Sequence, residues 1–170
     1  EQEPASTEYG PANSWWHAEI SDVPEDLAGT GFEIGDIAHD FILTDHENND
    51  VQLYQFYGRV ILLFIFQPQC PYCKPRGQAT EVLYQTYAPE GLIVLGVMEQ
   101  NLSYAAPDVS DLLSWMDESE VTFPVLADVG FSQATYGNGT PNSVIIDREM
   151  RVVHDDFYHV NEWQLAELFE

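Results

Sequence analysis

The chain has 170 residues, enough for one domain with a full core and too few for two comfortable ones. Hydrophobic residues make up an ordinary 45%, but 29 Asp plus Glu face only 5 Lys plus Arg, a formal net charge of -24. That balance excludes a basic surface for phosphate and so speaks against nucleic acid as a partner. No run reaches the about eighteen apolar residues of a membrane span. Self-repulsion on this scale costs stability at low salt and is screened at high salt. Adaptation to a high-salt environment and a preference for cationic partners both fit it, and composition does not separate them.

Residues 1–32 read as an N-terminal arm. Pro4, Pro11 and Pro24, with Gly10, Gly29 and Gly31, argue against a long helix there. Trp15 and Trp16 are the residues expected to dock the arm on the body, and a short helical turn is expected near Pro24 to Asp26. The start, Glu1 to Pro11, carries neither the n-region nor the h-region of a signal peptide. Residues 33–170 are the expected domain.

Within it, His39 to Thr44 reads as a short strand and Asp45 to Asp50 as a polar turn. Val51 to Phe56 fits either a helical turn or a partner strand. Val60 to Phe66 is apolar on both faces, as a central strand is when layers cover both sides of its sheet. A helix is predicted from Pro71, a residue suited to the first helical position, to about Tyr87, before Pro89 and Gly91. Leu92 to Met98 is the next central strand. Val109 to Asp117 has helical spacing, with Leu112, Leu113 and Met116 expected on one face. Thr122 to Leu126 is extended, and Phe131 to Tyr136 is a brief helix before Gly137 and Gly139. Ser143 to Asp147 and Arg151 to His154 flank a turn as a hairpin does. Asn161 caps a last helix through Phe169. This order predicts a three-layer α/β domain.

The two cysteines of the chain form a single run, Cys70-Pro71-Tyr72-Cys73, directly after the apolar strand. A strand that delivers a dithiol to the first turn of a helix offers the leading sulfur free N–H groups and the positive end of the helix dipole. Both favour the thiolate, the reactive form. Lys74 and Arg76 add to this if either points back toward Cys70. The spacing also lets the two thiols close reversibly on each other. A purely structural bridge across so short a loop constrains the unfolded chain little. Zinc would need two more ligands, and no His or Cys lies close in sequence. No metal and no cofactor are expected. His39, His46, His154 and His159 are scattered and read as surface or packing residues, with His154 or His159 as the only ones considered for the site.

Together with Gly139-Thr140-Pro141 and the following strand Val144-Ile145-Ile146-Asp147-Arg148, the dithiol makes a recognisable pattern. Gly35-Asp36, Asp40-Phe41, Leu43-Thr44-Asp45 and Gly58 before the first central strand belong to it too. The chain resembles the thioredoxin superfamily, and within it the TlpA/ResA-like thiol–disulfide oxidoreductases that border on the AhpC/TSA peroxiredoxins. The match covers roughly residues 33 to 169.

The resemblance implies a thioredoxin-like three-layer sandwich on a central mixed sheet, with Pro141 cis and lying against the dithiol. It implies Cys70 as nucleophile and Cys73 as resolving thiol. Thr140, Pro141, Pro71, Tyr72 and Gln69 would contact substrate, with the Thr140 backbone pairing with an extended peptide. Three positions depart from the family pattern. Gln69 stands where a tryptophan usually precedes the first cysteine, Phe64 where thioredoxins bury an acid, and Arg76 where the TlpA/ResA-like group carries a glutamate. Glu81 and Glu99 are the candidates to take over proton transfer. The implied partners are a protein disulfide or dithiol substrate and an upstream redox partner, outside the cytoplasm, periplasmic or tethered by a removed segment. A monomer is expected, because no exposed heptad or long apolar helix face asks for a partner. A reductant is favoured over an oxidant. The alternatives are a thiol peroxidase of the peroxiredoxin type and a redox-inactive thioredoxin-fold module that binds peptides.

Overall fold

The computed structural model of the protein describes Trp15, residues 23–128, residue 130, residues 139–156 and residues 160–170. Seven strands form one mixed sheet in the order β2-β1-β5-β4-β3-β6-β7. They are β1 (Ile42–Asp45), β2 (Asp50–Gln52), β3 (Ile61–Phe66), β4 (Ile93–Met98), β5 (Val125–Ala127), β6 (Asn142–Ile146) and β7 (Val152–Asp156). The central strands β3, β4 and β5 run parallel, whereas β6 lies antiparallel to β3 and carries β7 as a hairpin partner. At the other side β1 is antiparallel to β5 and pairs with β2.

The alternation of β3 explains why it sits in the middle. Leu63 and Ile65 join one core with Leu95, Val97, Val144 and Ile146, while Leu62, Phe64 and Phe66 join the core on the opposite face. All six residues of β3 are buried, and each such side chain contributes about 1.5–3 kcal/mol of transfer free energy. The second core is covered by α1 (Cys73–Tyr87), α2 (Val109–Ser119) and α3 (Glu162–Ala166). The first is covered by the 3-10 turn Leu53–Phe56 with Phe41, Tyr54 and Trp15. The layers are therefore sheet, helices on one face, and irregular chain on the other.

Local chemistry sets the boundaries. Asp40 delays the start of the expected first strand, because its carboxylate accepts from the N–H groups of Phe41 and Tyr54 at 3.0 Å each; β1 starts only at Ile42. Asp45 organises the turn that follows, accepting from the Glu47 and Asn49 N–H groups at 2.9 and 2.8 Å. The ambiguous segment 51–56 is both things in turn, a strand to Gln52 and a 3-10 turn after it. In α2 the buried residues are Leu112 and Trp115, while Leu113 is 49% exposed. One residue is a rotation of about 100° on a helix, so Leu113 cannot share the face that Leu112 and Trp115 occupy.

Trp15 donates its indole N–H to the Asp45 carboxylate at 2.7 Å and stacks on Phe56 with centroids 5.9 Å apart. Trp16, most of the expected arm and the expected helix at Phe131 to Tyr136 lie outside the described residues. The last helix is shorter than expected, its regular part ending at Ala166. Its start is as expected, since the Asn161 N–H donates to Gln164 Oε1 at 2.7 Å.

Candidate active site

The dithiol sits where β3 ends and α1 begins. After Phe66 the chain leaves the sheet through Gln67, and the Cys70 N–H donates to the Gln67 carbonyl at 3.2 Å. The Cys73 N–H donates back to the Cys70 carbonyl, also at 3.2 Å. Pro71 and Tyr72 thus form a turn, and the helix begins at Cys73 itself, with Arg76 N–H to Tyr72 carbonyl (3.1 Å) as its first bond. This shifts the expected start by two residues. Pro75 removes another donor from the first turn, leaving fewer free N–H groups near Cys70 than a start at Pro71 would provide.

Both thiols are free. Cys73 is fully buried and belongs to the core of Phe64, Phe66 and Trp115, whereas Cys70 is half-buried at its margin. Burial pushes the Cys73 thiol well above the ordinary thiol range; its hydrogen bond with Cys70 and the charges of Cys70 and Glu99 add to the rise. A hydrogen bond from the Gln67 backbone works the other way. Phe64, at the position of the absent acid, is wholly buried and packed by Phe66, Trp115 and Phe123. The floor beneath the dithiol is therefore apolar.

The cis peptide bond Thr140–Pro141 faces the motif from β6. The Cys70 sulfur lies 3.7 Å from the Thr140 carbonyl oxygen, and Pro141 is buried. Tyr72 is 64% exposed beside the thiols. Gln69 donates its amide to the Asn101 carbonyl, and its Oε1 is buried with no partner among the described residues. The residue standing for the family tryptophan thus anchors the loop after β4 to the motif.

The two proton-transfer candidates part company. Glu99 follows β4, where its N–H donates to the Phe66 carbonyl at 3.0 Å, so it lies next to the chain leaving β3. Gln67 Nε2 donates to its carboxylate at 2.9 Å and Gln67 Oε1 accepts from Gln100 at 3.0 Å. Glu81, two turns along α1, is instead tied to the segment before β5. It accepts from the Thr122 N–H at 2.8 Å, the Thr122 hydroxyl at 2.6 Å and Gln85 Nε2 at 2.7 Å. The structure brings Cys70, Cys73, Thr140, Gln69 and Glu99 together and leaves Glu81 as a tether. His154 is engaged by Gln164 on α3; His159 lies outside the described residues.

Sequence reasoning missed two contributors. Trp115 stacks on Phe66 at 3.8 Å between centroids and walls the dithiol core from α2. Its approach to α1 needs Gly77, where a Cβ would meet Trp115 Cη2 at 2.8 Å. Gln67 joins both cysteines to Glu99; its place just before Pro68 was the available signal.

The sequence model of the AhpC/TSA family matches residues 34–155. The chain belongs to the AhpC/TSA family. Among curated relatives, the thiol-disulfide oxidoreductase ResA of Bacillus thuringiensis subsp. konkukian is 26% identical over 125 residues, 72% of this chain and 69% of that protein. ResA of Halalkalibacterium halodurans is 23% identical over 138 residues, 80% of this chain and 75% of that protein. Among solved structures, a Chlorobium tepidum protein assigned as the thiol:disulfide interchange protein DsbE superposes with a TM-score of 0.71 at 22% identity, covering 82% of this chain and all of that one. StoA of Bacillus subtilis gives 0.61 at 18%, covering 77% and 96%. The fold is that of the thioredoxin superfamily, and this AhpC/TSA member is of its TlpA/ResA-like kind.

Proposed function

We propose that this thiol–disulfide oxidoreductase reduces disulfides of protein substrates through Cys70 and Cys73. The observation that carries the reading is the pairing of a half-exposed sulfur, 3.7 Å from the Thr140 carbonyl, with a buried thiol in hydrogen-bonding contact behind it. The Cys70 thiolate attacks one sulfur of a substrate disulfide, forming a mixed disulfide and releasing the other sulfur as a thiolate. Cys73 then loses its proton and attacks Cys70, closing the intramolecular disulfide and releasing the second substrate thiol. Two electrons pass from the dithiol to the substrate.

Burial and the Glu99 charge disfavour the Cys73 thiolate. A reduced form without thiolate stabilisation is the better electron donor, in contrast to oxidants whose reduced form is stabilised. The same burial makes proton removal from Cys73 the demanding step, and Glu99 is the carboxylate assigned to it. An extended substrate segment lies along the Thr140 backbone, with Pro141, Pro71, Tyr72 and Gln69 around it. An upstream dithiol donor returns the centre to its reduced state. The family resemblance favours a site of action outside the cytoplasm; no helix among the described residues is long and apolar enough to cross a membrane.

The test is single-turnover reduction of a protein disulfide by the pre-reduced chain, with hydrogen peroxide as the competing oxidant. Stoichiometric appearance of two substrate thiols per chain is expected. Preferential consumption of peroxide would make the chain a peroxidase instead.

A further inference from the structure

Of the five basic residues in the chain, three are engaged with the chain itself. Arg148 donates to the Leu168 carbonyl at 2.7 Å and lies over the Phe169 ring, Arg151 donates to the Gly35 carbonyl at 2.5 Å, and Arg59 also has a partner. The other two, Lys74 and Arg76, make no ion pair among the described residues, although 29 carboxylates are available. Both sit in the first turn of α1, next to the dithiol, and that turn contains no acidic residue. Helix stability argues for the opposite arrangement, since cations are disfavoured and anions favoured at a helix N-terminus. Neither cation is among the groups that shift Cys73. Helix stability therefore leaves their placement unexplained.

Lys74 is exposed on this turn. Arg76 is half-buried and three residues from Cys73, the spacing that puts two side chains on one helix face. Lys74 lines a cavity of about 250 Å³ between α1 and α2, together with Pro68, Leu102 and Trp115. Ser119 lines it too, 1% exposed, with a hydroxyl that has no hydrogen-bond partner among the described residues. Asp111 and Glu118 form its far side, but the Asp111 carboxylate is held by Asn101 Nδ2 and the Asp108 N–H, and neither acid reaches ion-pairing distance of Lys74. Tyr72, Leu102 and Tyr104 are 64%, 69% and 72% exposed.

We propose that Lys74 and Arg76 select disulfide substrates that carry an Asp or Glu beside the reactive cysteine. The inference rests on the thiol–disulfide reading above and names its substrate class. On a surface of net charge -24, an acidic side chain is repelled from nearly every docking pose. The pose that sets it against Lys74 and Arg76 is the exception, and it also brings the neighbouring disulfide to Cys70. Repulsion elsewhere and attraction here together fix the register of docking.

The experiment uses blocked peptides with one cysteine held as a mixed disulfide with neutral 2-mercaptoethanol, identical except for Asp, Asn or Lys next to that cysteine. Second-order rate constants with the reduced chain are each divided by the rate with dithiothreitol, which removes intrinsic reactivity. Measurements run from the lowest ionic strength at which the chain is folded up to 2 M salt. The Asp peptide should exceed the Lys peptide by about twofold or more, the worth of one exposed ion pair. The ratio should shrink as salt rises, and should fall to one or below in Lys74→Gln/Arg76→Gln. A wild-type ratio at or below one, a ratio indifferent to salt, or one retained in the double variant overturns the proposal. Failure of the wild-type chain to exchange with bis(2-hydroxyethyl) disulfide would instead overturn the dithiol reading beneath it.

Discussion

The two ends of α1 are built to opposite purposes. At its C-terminal half, Glu81 ties the helix to Thr122, Tyr87 stacks on Phe169 at 5.4 Å, and Tyr84 meets Phe123 edge-on at 6.3 Å. At its N-terminal turn two cations stand without ion pairs among the described residues, Tyr72 projects into solvent, and the Cys70 sulfur is half-buried, 3.7 Å from the Thr140 carbonyl oxygen. Gly77 marks the border, where the Trp115 ring presses against the helix. Contacts to the core and to neighbouring segments hold the C-terminal half in place, while the reactive turn carries the exposed groups.

Substitutions at the reactive end should act first on the chemistry. Cys70→Ser is expected to abolish disulfide reduction, while Cys73→Ser retains the first step and accumulates mixed disulfide, read by mass spectrometry. A Cys73→Ser chain that turned over normally would contradict the assignment of the two roles. Glu99→Gln should slow resolution of the mixed disulfide by about a hundredfold, the low end of acid–base contributions, while attack by Cys70 keeps its rate. Stopped-flow kinetics across pH separates the two steps.

Substitutions toward the pinned end should do the reverse. Gly77→Ala drives a methyl into the Trp115 ring, and such overpacking costs about 1–3 kcal/mol, outweighing the about 1 kcal/mol gained in helix propensity. Chemical denaturation measures it. The cysteines themselves couple the two ends through pH. An unfolded thiol titrates near 8.5, and Cys73 in the fold keeps its proton well beyond that. The unfolded chain therefore releases this proton first, and the reduced form loses stability as pH rises above about 8.5, by about 2 kcal/mol at pH 10. Cys70→Ser and Cys70→Ser/Cys73→Ser share every other titrating group, so the difference between their stability curves against pH isolates the effect. Glu81→Gln, the smallest change, should cost about 1 kcal/mol of stability with resolution kinetics unaltered.

How far the sequence discloses this molecule depends on how local each signal is. The strand Val60 to Phe66, the Cys-x-x-Cys and the Thr140–Pro141 contact are legible because continuous burial, spacing and a shared motif carry them. Periodicity also finds α2 but assigns Leu113 to its inner face, because counting apolar residues overlooks that Trp115 offers the larger surface to bury. Glu81 and Glu99 look alike as candidates along the chain. They separate only when the parallel register of β3 and β4, Phe66 opposite Met98, carries Glu99 to Gln67 and the Thr122 segment claims Glu81. The unpaired state of Lys74 and Arg76 is likewise invisible in a composition that lists 29 acids, since availability of a counter-charge says nothing about its position.

The most direct measurement is the reduction potential of the Cys70–Cys73 pair, by equilibration with graded thiol–disulfide buffers at low and high salt. A reversible two-electron couple near or below about -250 mV is predicted, the range of dithiols that reduce other proteins. A value near about -120 mV, or no reversible couple at either salt, would contradict the account.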